Sequence, residues 1–307
     1  MFKTFQFEFT GDEVLRIDKF LVDCLQDVSR TRIQKLIQDG YVTVDGLPVE
    51  KVGQKLAAGQ IISIDIPNPE QQSLICEDID LDVIYVDEHA IVINKPAGMV
   101  VHPGAGNETG TLVNAALAKW PELAGVGDPE RPGVVHRLDK ETSGILLLAR
   151  TPKAYDWFVA QFKSRKAKKI YLALVDGHPP TPEGRIEAPI HRDPKHRQRM
   201  AVALLGQGRN AITEYFRLKQ FAKHDYLEVH PLTGRTHQIR LHLAYLGCPI
   251  VGDTVYGHKW SSLPLERFFL HASWLAICLP GEKQFTHFST RLPEDLQTIL
   301  ADLENIH

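Results

Sequence analysis

A polar segment broken by two prolines, Pro67-Asn68-Pro69-Glu70-Gln71-Gln72-Ser73, separates two stretches of regular hydrophobic patterning. Proline lacks a backbone N–H and cannot continue a helix or a central strand, so the segment predicts a linker. The 307 residues are enough for two units with separate buried cores. We therefore expect a small unit over residues 1–66, a linker over 67–76 and a larger unit over 77–307.

The small unit combines helical spacing with a later strand alternation. Apolar residues at helical spacing predict two helices, of which the second is capped by Ser29 and ends at Gly40. Val42 and Val44 alternate with a polar residue as in a strand, and Asp45-Gly46 is typical of a hairpin turn. The expected order is two helices followed by a short β ribbon.

The larger unit does not alternate regularly between strands and helices. Apolar runs predict strands at Val83–Val86, Ile91–Ile93, Ile145–Ala149, Ile170–Val175, Ile212–Leu218 and Tyr226–His230. Helices are predicted from a cap at Thr111 through Lys119, from Thr151-Pro152 onward and at Thr236–Leu246. This order favours an α+β fold, with a mixed, mostly antiparallel sheet and flanking helices, over a doubly wound parallel sheet.

Several features indicate a cytoplasmic protein. No uninterrupted apolar run approaches the ~20 residues that a membrane helix needs. The N-terminal string MFKTFQFEFTGDEVLR lacks the cationic start and apolar stretch of a secretory signal. The four cysteines lie far apart, without the paired spacing of zinc or redox sites. We therefore expect a reducing, cytoplasmic setting.

Charge is unevenly distributed along a chain whose net charge is −3. Residues 67–90 contain 7 acidic and no basic residues, whereas residues 91–307 have a balance of +6. Because local patches govern phosphate binding, an RNA partner is compatible with the acidic total. Between Lys163 and Arg199 the basic residues are densest, and we predict phosphate contacts there from Arg165, Lys166, Lys168 and Lys169. Ordinary solvated charge is the alternative interpretation.

The strongest catalytic signal is the polar, glycine-punctuated string PGVVHRLDKETSG at residues 132–144. Loops of this kind between apolar strands are common sites for active-site groups. Asp139 is bracketed by Arg137 and Lys140, whose positive charges favour the ionised carboxylate, a nucleophile or base. An aspartate that only accepts hydrogen bonds from turn amides is the alternative.

The string PGVVHRLDKETSGILLLAR resembles the central motif of the ribosomal large-subunit pseudouridine synthases of the Rlu type. Four further strings resemble the same family in order: VINKPAGMVVHPGAG, KKIYLALVDG, HPLTGRTHQIRLHLAYLGCPIVGDTVYG, and FLHASWLAICLPGE with RLPEDL. The stretches 195–210 and 258–267 carry no such signature. The resemblance implies an isomerase that flips a uridine out of RNA and converts it to pseudouridine.

The string LRIDKFLVDCLQDVSRTRIQKLIQDGYVTVDG in the small unit resembles the alpha-L RNA-binding domain first described in a small-subunit ribosomal protein. Arg30, Arg32 and Lys35 lie at the start of the predicted second helix, where cationic side chains and helix amides can both meet phosphate. We therefore expect these three residues to bind RNA. An exposed helix with solubilising charges is the alternative.

The resemblance implies roles for four residues of the larger unit. Asp139 matches the catalytic aspartate, and Arg235 matches the arginine that pairs with it and orients it. Tyr171 matches a tyrosine that stacks near the target base and is implicated in removing the C5 proton. Arg137 matches an arginine thought to fill the gap left by the flipped uridine. A core tyrosine and a purely structural ion pair are the alternatives for Tyr171 and Arg235.

The resemblance also implies that the reaction uses no cofactor and no metal, because the product conserves the glycosidic bond energy. The histidines do not argue against this, since His237 and His242 are five apart and no acidic residue completes a zinc motif. We expect a monomer acting on structured RNA, with ribosomal RNA ahead of transfer RNA. The sequence does not choose between addition of Asp139 to C1′ and formation of a glycal.

Two other classes of protein share part of this pattern. A non-catalytic RNA-binding or assembly factor would keep the basic surface without needing Asp139, Tyr171 and Arg235 together. A carboxylate-dependent RNA glycosidase would need an activated water and a second carboxylate, for which Glu141 is the nearby residue.

Overall fold

The computed structural model describes residues 2–11, 14–25, 28, 30–49, 51–67, 74–104, 106–194, 196, 199–203 and 206–305. The chain divides into two compact units, Met1–Ser73 and Leu74–His307. The predicted cap at Ser29 and the centre of the predicted linker, residues 68–73, lie outside the described residues. None of the helices within these ranges is both long and apolar enough to cross a bilayer.

Two helices and six short strands make up the described part of the small unit. They are β1 (Phe2–Glu8), β2 (Leu15–Arg16), α1 (Ile17–Cys24), α2 (Arg30–Gln38), β3 (Val42–Val44), β4 (Leu47–Pro48), β5 (Lys55–Leu56) and β6 (Ile61–Pro67). The order β1-β6-β3-β4 forms one antiparallel sheet, and β2 pairs with β5. The structure thus adds three strands that were not predicted, β1, β2 and β5, to the expected helices and ribbon.

The helices of the small unit pack through the apolar spacing seen in the sequence. Ile33, Leu36 and Ile37 of α2 are buried in the same cluster as Ile62 and Ile64 of β6. The turn after β3 has positive φ angles at both central residues, 50° at position 45 and 80° at position 46. That conformation suits the Asp-Gly pair found there and joins β3 to β4 in a tight hairpin.

The larger unit, within the described residues, has eleven strands and four α-helices. The strands are β7 (Val83–Val86), β8 (Ala90–Lys95), β9 (Ser143–Ala149), β10 (Lys168–Asp176), β11 (Glu183–Glu187), β12 (Ile190–Arg192), β13 (Met200–Val202), β14 (Ile212–Gln220), β15 (His224–Pro231), β16 (Leu270–Ile277) and β17 (Thr286–Ser289). The helices are α3 (Leu112–Lys119), α4 (Pro152–Lys163), α5 (Gln238–Tyr245) and α6 (Glu294–Asn305), with a 3-10 turn at Pro121–Gly125.

Nine of these strands form one sheet in the order β11-β14-β15-β10-β16-β9-β8-β7, with β17 added beside β16. Its strand pairs are antiparallel apart from β9 with β16, which is parallel. The small unit and this mixed sheet together confirm the predicted α+β fold. A doubly wound arrangement is excluded because its strands would run parallel.

Both faces of the sheet are covered by helices. Successive residues of β9 alternate between two clusters: Leu146 packs with α3, and Leu147 packs with α4. Burial on both faces explains why β9 is a continuous apolar run in the sequence. The predicted cap of α3 is also confirmed, since the Thr111 hydroxyl accepts a hydrogen bond from the Asn114 N–H as part of a capping box.

The parallel pairing of β9 with β16 brings the loop that precedes β9 to the middle of the sheet. Ser143 and Gly144 pair with His271 and Ala272, the latter of which also pairs with Tyr171 of β10. Gly144 has a φ of 111°, and a Cβ there would overlap the Ala272 carbonyl oxygen. Glycine is therefore needed at this crossing, which places the preceding loop next to β10.

Candidate active site

A cleft of about 430 Å³ opens beside this loop, a volume typical of a ligand-binding site. Arg137, Asp139, Tyr171 and Arg235 all contribute to its lining. Four residues that lie up to 98 positions apart in the sequence are thus brought to one place by the loop before β9, strand β10 and the segment before α5.

The backbone of the Asp139 loop is held by donors from other segments. The Nζ of Lys95, fully buried at the end of β8, donates to the carbonyl oxygens of Pro96 (2.6 Å), Met99 (2.8 Å) and Lys140 (3.0 Å). Burial lowers the pKa of the Lys95 ammonium to about 7, and the charges of Glu141 and Asp139 oppose that shift. The Arg267 guanidinium donates to the Glu141 carbonyl at 3.1 Å. The hydrogen bonds to the Lys140 and Glu141 carbonyls hold the backbone of the loop in place.

The partner of the Asp139 carboxylate is Arg240, on α5. Arg240 Nη1 lies 3.3 Å from Asp139 Oδ2, while its Nε and Nη2 bind both oxygens of Asp253 at 2.7 and 2.9 Å. The side chain of Arg240 is only 6% exposed, and its guanidinium lies over the Phe268 ring at 4.3 Å. A bidentate bond and a ring face therefore fix the guanidinium that holds Asp139.

The expectation that Arg235 pairs with Asp139 is wrong. Arg235 lies before the first residue of α5, and its Nε donates at 3.1 Å to the carbonyl oxygen of Asn210. Arg240 lies five residues further on, within α5, and its guanidinium is the one that contacts Asp139. Arg235 still lines the cleft, so the structure separates a cleft residue from the residue that makes the ion pair.

One signal in the sequence could have identified Arg240. Arg240 stands between the apolar residues Ile239 and Leu241, and all three are buried. A charged side chain in such a run needs an oppositely charged partner, because an unpaired buried charge is costly. The second partner, Asp253, also lies in a mostly apolar string, VGDTVYG. Burial raises the pKa of its carboxyl, but the hydrogen bond and charge of Arg240 outweigh this and lower it.

Tyr171 lies on β10 and is only 7% exposed, yet it contributes to the cleft lining. Burial raises the pKa of its phenol far above the ordinary value, and the charge of Asp139 adds to the shift. Tyr171 therefore keeps its proton at neutral pH. Its position in the lining fits a ring that packs against a bound base, and its role in proton removal stays a prediction.

The four basic residues predicted to contact phosphate between positions 165 and 169 have two different environments. Arg165 and Lys169 line the cleft, whereas Lys166 and Lys168 are exposed and lie outside its lining. Burial lowers the pKa of the half-buried Lys169 ammonium to about 8. Lys169 also faces the segment before α5, since a Cβ added to Gly234 would lie 3.6 Å from Lys169 Nζ. Lys169 is therefore a cation of the cleft itself.

The three cations predicted to bind RNA in the small unit differ in their surroundings. Arg30 is half-exposed, and its guanidinium donates to the buried Asp18 carboxylate at 2.7 Å. Burial would raise the pKa of Asp18, but hydrogen bonds from Arg16, Arg30 and Gln34 outweigh it and lower the pKa. Lys35 is exposed on α2, and the side chain of Arg32 lies outside what the structure describes. Arg30 thus has a structural partner whether or not it meets phosphate.

The charge lining of the cleft is strongly one-sided. Its described lining contains one carboxylate, that of Asp139, together with six cations: Arg137, Lys163, Arg165, Lys169, Arg235 and Arg240. Glu141, the other carboxylate of the loop, lines a different cleft with Arg267 and Asp295. No group of three or more histidine, cysteine, aspartate or glutamate side chains with metal-site geometry occurs in the described ranges. The cleft can therefore bind a polyanion around a single carboxylate.

Comparison with known proteins agrees with this arrangement. Residues 89–245 match the family described as RNA pseudouridylate synthase, and residues 15–62 match the S4 domain. An uncharacterized RNA pseudouridine synthase of Chloroflexus aurantiacus is 49% identical over 94% of this chain and 90% of its own length. The ribosomal large subunit pseudouridine synthase D of Zymomonas mobilis is 38% identical over 94% and 93% of the two chains.

Solved structures show the same fold in the larger unit. Human RNA Pseudouridylate Synthase Domain Containing 4 is 26% identical, with a TM-score of 0.57 over 73% of this chain and 93% of its own. Human RNA Pseudouridylate Synthase Domain Containing 1 has a TM-score of 0.58 over 74% and 96%. With a family match that includes the Asp139 loop, β10 and the segment before α5, these findings identify the chain as a member of the RNA pseudouridine synthase family, an isomerase that carries an N-terminal S4 domain.

Proposed function

We propose that this enzyme isomerises specific uridines of large-subunit ribosomal RNA to pseudouridine, acting as a cytoplasmic monomer. The observation that carries the proposal is the single carboxylate, Asp139, held by Arg240 inside a cleft whose other charged lining residues, among those described, are six lysines and arginines. Relatives at 38–40% identity over most of the chain are named ribosomal large subunit pseudouridine synthase D, which supports the choice of RNA.

The proposed reaction begins when the target uridine leaves the base stack and enters the cleft. Asp139 then either adds to C1′ of the ribose or removes a C2′ proton to form a glycal, and in both cases the C1′–N1 bond breaks. The uracil turns within the cleft, and its C5 bonds to C1′. On the addition route the bond between C1′ and the Asp139 oxygen breaks in this step, and on the glycal route Asp139 returns the proton to C2′. Loss of the C5 proton completes the C-glycoside. The Tyr171 ring packs against the base, and Arg137 fills the gap that the base leaves in the RNA.

The charges of the cleft support this sequence of steps. Five of these cations, all but Arg240, can bind the phosphates on either side of a flipped nucleotide and neutralise their repulsion with Asp139. Arg240 orients the carboxylate through its contact with Oδ2. The loop contacts from Lys95 and Arg267 hold the nucleophile in place, which lowers the entropic cost of reaction.

Hydrolysis of the glycosidic bond is the competing chemistry, and the cleft does not favour it. Glycosidases use two carboxylates that flank the bond, roughly 5–9.5 Å apart. Glu141, the nearby carboxylate in the sequence, lines the other cleft, and the described lining around Asp139 contains no second acid. A bound uracil would then rebond at C5 with no activated water in competition.

The direct test is to map pseudouridines in ribosomal and transfer RNA from cells with and without the gene. Carbodiimide labelling followed by sequencing detects each site, and chromatography of the purified reaction detects free uracil. We expect one or a few uridines of large-subunit RNA to lose the modification, with no uracil released by the purified enzyme. Loss confined to transfer RNA would reject the proposed substrate, and released uracil would reject the proposed chemistry.

Replacing Lys166 and Lys168 with glutamine should weaken binding to every RNA and flatten its salt dependence. Both side chains are exposed beside the cleft, where they can meet phosphate without touching the reacting base. Each lost phosphate contact should lower the log–log salt slope by roughly 0.7–0.9. RNA affinity at several salt concentrations measures this, and single-turnover rates at saturating RNA should stay within about twofold.

Lys223→Gln is the matched control for the salt experiment. Lys223 is exposed in the turn between β14 and β15, at the end of β15 opposite the cleft residue Pro231. The log–log salt slope of RNA affinity for Lys223→Gln should equal that of the wild type. Equal salt slopes of RNA affinity in the control and the double variant would show that Lys166 and Lys168 are ordinary solvated charges.

Tyr171→Phe should lower the single-turnover rate and leave the salt slope of RNA affinity unchanged.

Deleting residues 1–73 should weaken RNA binding and leave a folded catalytic unit. The two units have separate hydrophobic cores, so the larger unit keeps its own when the small unit is removed. The loss of affinity should be largest on long structured RNA, which can reach both units. Binding to intact ribosomal RNA and to a short stem-loop, with a thermal melt of the truncated protein, measures these effects.

Lys35→Gln in the full chain tests the same interface with a smaller change. Lys35 is exposed on α2, so its replacement should weaken binding in the direction of the deletion without altering the fold. If the truncated and full-length proteins had equal activity on intact ribosomal RNA, the small unit would not be a substrate-binding module.

A further inference from the structure

His237 is a cleft residue that the mechanism above does not use. It is the residue before the first residue of α5, between Arg235 and Arg240, and its ring contributes to the cleft lining. Its Nε2 lies 4.0 Å from Oδ1 of Asp139, whereas Arg240 contacts Oδ2 of the same carboxylate. Each oxygen of Asp139 thus faces a different side chain of one segment.

The backbone of His237 is in an unusual conformation. Its φ of 56° and ψ of 20° lie in the left-handed region, one of three such non-glycine residues in the described ranges. A side chain held there costs conformational free energy, and such residues cluster at functional sites. A glycine would adopt this conformation freely, so local folding alone does not explain the histidine.

The hydrogen bonds of the ring determine where its proton lies. The Met200 N–H donates to the Tyr256 hydroxyl oxygen at 2.8 Å, and that hydroxyl lies 2.8 Å from His237 Nδ1. The arrangement that satisfies every group has the Tyr256 O–H donating to Nδ1. The ring proton is then on Nε2, the nitrogen that faces Asp139. Burial lowers the pKa of His237, the Asp139 charge opposes the shift and Arg240 adds to it, so the ring is neutral.

We propose that His237 is a positioning residue for Asp139: its neutral imidazole presents an Nε2–H to Oδ1 while Arg240 holds Oδ2. A neutral N–H donor can orient the carboxylate through a hydrogen bond to Oδ1. The separation of 4.0 Å is longer than a hydrogen bond, and catalytic hydrogen bonds often close only when the substrate is in place. Tyr256 acts indirectly, because its hydroxyl donates to Nδ1 and so keeps the ring proton on Nε2.

The inference rests on the proposed function, in which Asp139 is the reacting group. Three variants separate the imidazole from the backbone around it. His237→Gly removes the donor and relieves the left-handed conformation. His237→Asn keeps an N–H donor on a residue type that tolerates that conformation. Tyr256→Phe keeps the imidazole and removes the hydroxyl that selects its tautomer.

Single-turnover rates and RNA affinities of these variants test the role. His237→Gly should lower the rate about 10- to 100-fold, the effect of one hydrogen bond to a charged group, with RNA affinity and melting temperature nearly unchanged. His237→Asn should recover part of the rate, and Tyr256→Phe should lose less than His237→Gly. A His237→Gly rate within about twofold of wild type, or a rate loss matched by weaker RNA binding or a lower melting temperature, would overturn the inference.

A second measurement does not depend on turnover. Nitrogen-15 NMR of the imidazole rings, with the His237 signal assigned by its loss in His237→Asn, should show a neutral ring protonated at Nε2. Tyr256→Phe should shift this signal toward the other tautomer. A wild-type ring protonated at Nδ1 would overturn the inference even in an active enzyme, whereas a wild type that modifies no RNA would reject the proposed function instead.

Discussion

Asp139→Asn should abolish pseudouridine formation and leave the fold intact. Asparagine has the same shape but can neither add to C1′ nor remove a proton, so we expect turnover to fall by at least about three orders of magnitude. Asp139 is the only carboxylate in the described cleft lining, so no neighbour can replace it. Single-turnover conversion of uridine, measured by carbodiimide labelling, gives the rate, and a thermal melt checks the fold.

Glu141→Gln is the matched control, since it makes the same chemical change two residues further along the loop. Its side chain lines the other cleft, so turnover should stay within about threefold of the wild type. RNA affinity of Asp139→Asn should equal or slightly exceed that of the wild type, because a negative charge leaves a cation-lined cleft. If Asp139→Asn kept more than a few per cent of wild-type turnover, the assignment of the nucleophile would be wrong.

Arg240→Met should impair both activity and stability. The change leaves Asp139 and the buried Asp253 without their shared cation, and breaking a buried pair in this way costs about 3–5 kcal/mol. Loss of the group that orients Asp139 should lower turnover by at least about 100-fold. The turnover and stability of Arg240→Lys should lie between those of the wild type and those of Arg240→Met, because lysine keeps the charge but cannot bind Asp253 through two nitrogens.

The stability loss of Arg240→Met should depend on pH in one direction. Arg240 lowers the pKa of Asp253 in the folded wild type, so the pair stabilises the fold above the ordinary aspartate pKa of about 3.9. As the pH falls through the lowered value, Asp253 protonates and the contribution disappears. The difference in free energy of unfolding between wild type and variant should therefore be largest near neutral pH and shrink in acid. Urea unfolding at several pH values measures it.

The activity of Arg235→Gln tests which arginine pairs with the Asp139 carboxylate during the reaction. Arg235 lines the cleft but bonds the Asn210 carbonyl, so its loss should lower turnover about tenfold or less, with little change in stability. An effect as large as that of Arg240→Met would show that Arg235 is the partner of Asp139 during the reaction.

The sequence alone was sufficient for the fold class, and it predicted the loop of Asp139 as the catalytic one. Helix caps such as Thr111 and the continuous apolar run of β9 depend on neighbours in the chain and on burial, both of which leave a local pattern. Asp139 could be predicted as the reacting carboxylate for a similar reason, since its charged neighbours and its motif lie within one continuous string. β1 was missed because its partner β6 begins more than fifty residues later in the chain.

Only the tertiary structure decided which side chains meet Asp139. Arg235 and Arg240 stand in one string, and the start of α5 between them determines which one faces the carboxylate. The same holds for the cleft cations: Lys168 and Lys169 are adjacent, yet strand alternation gives one to solvent and the other to the cleft. Contacts between distant segments depend on the direction and register of packed elements, which a sequence specifies only through the whole fold.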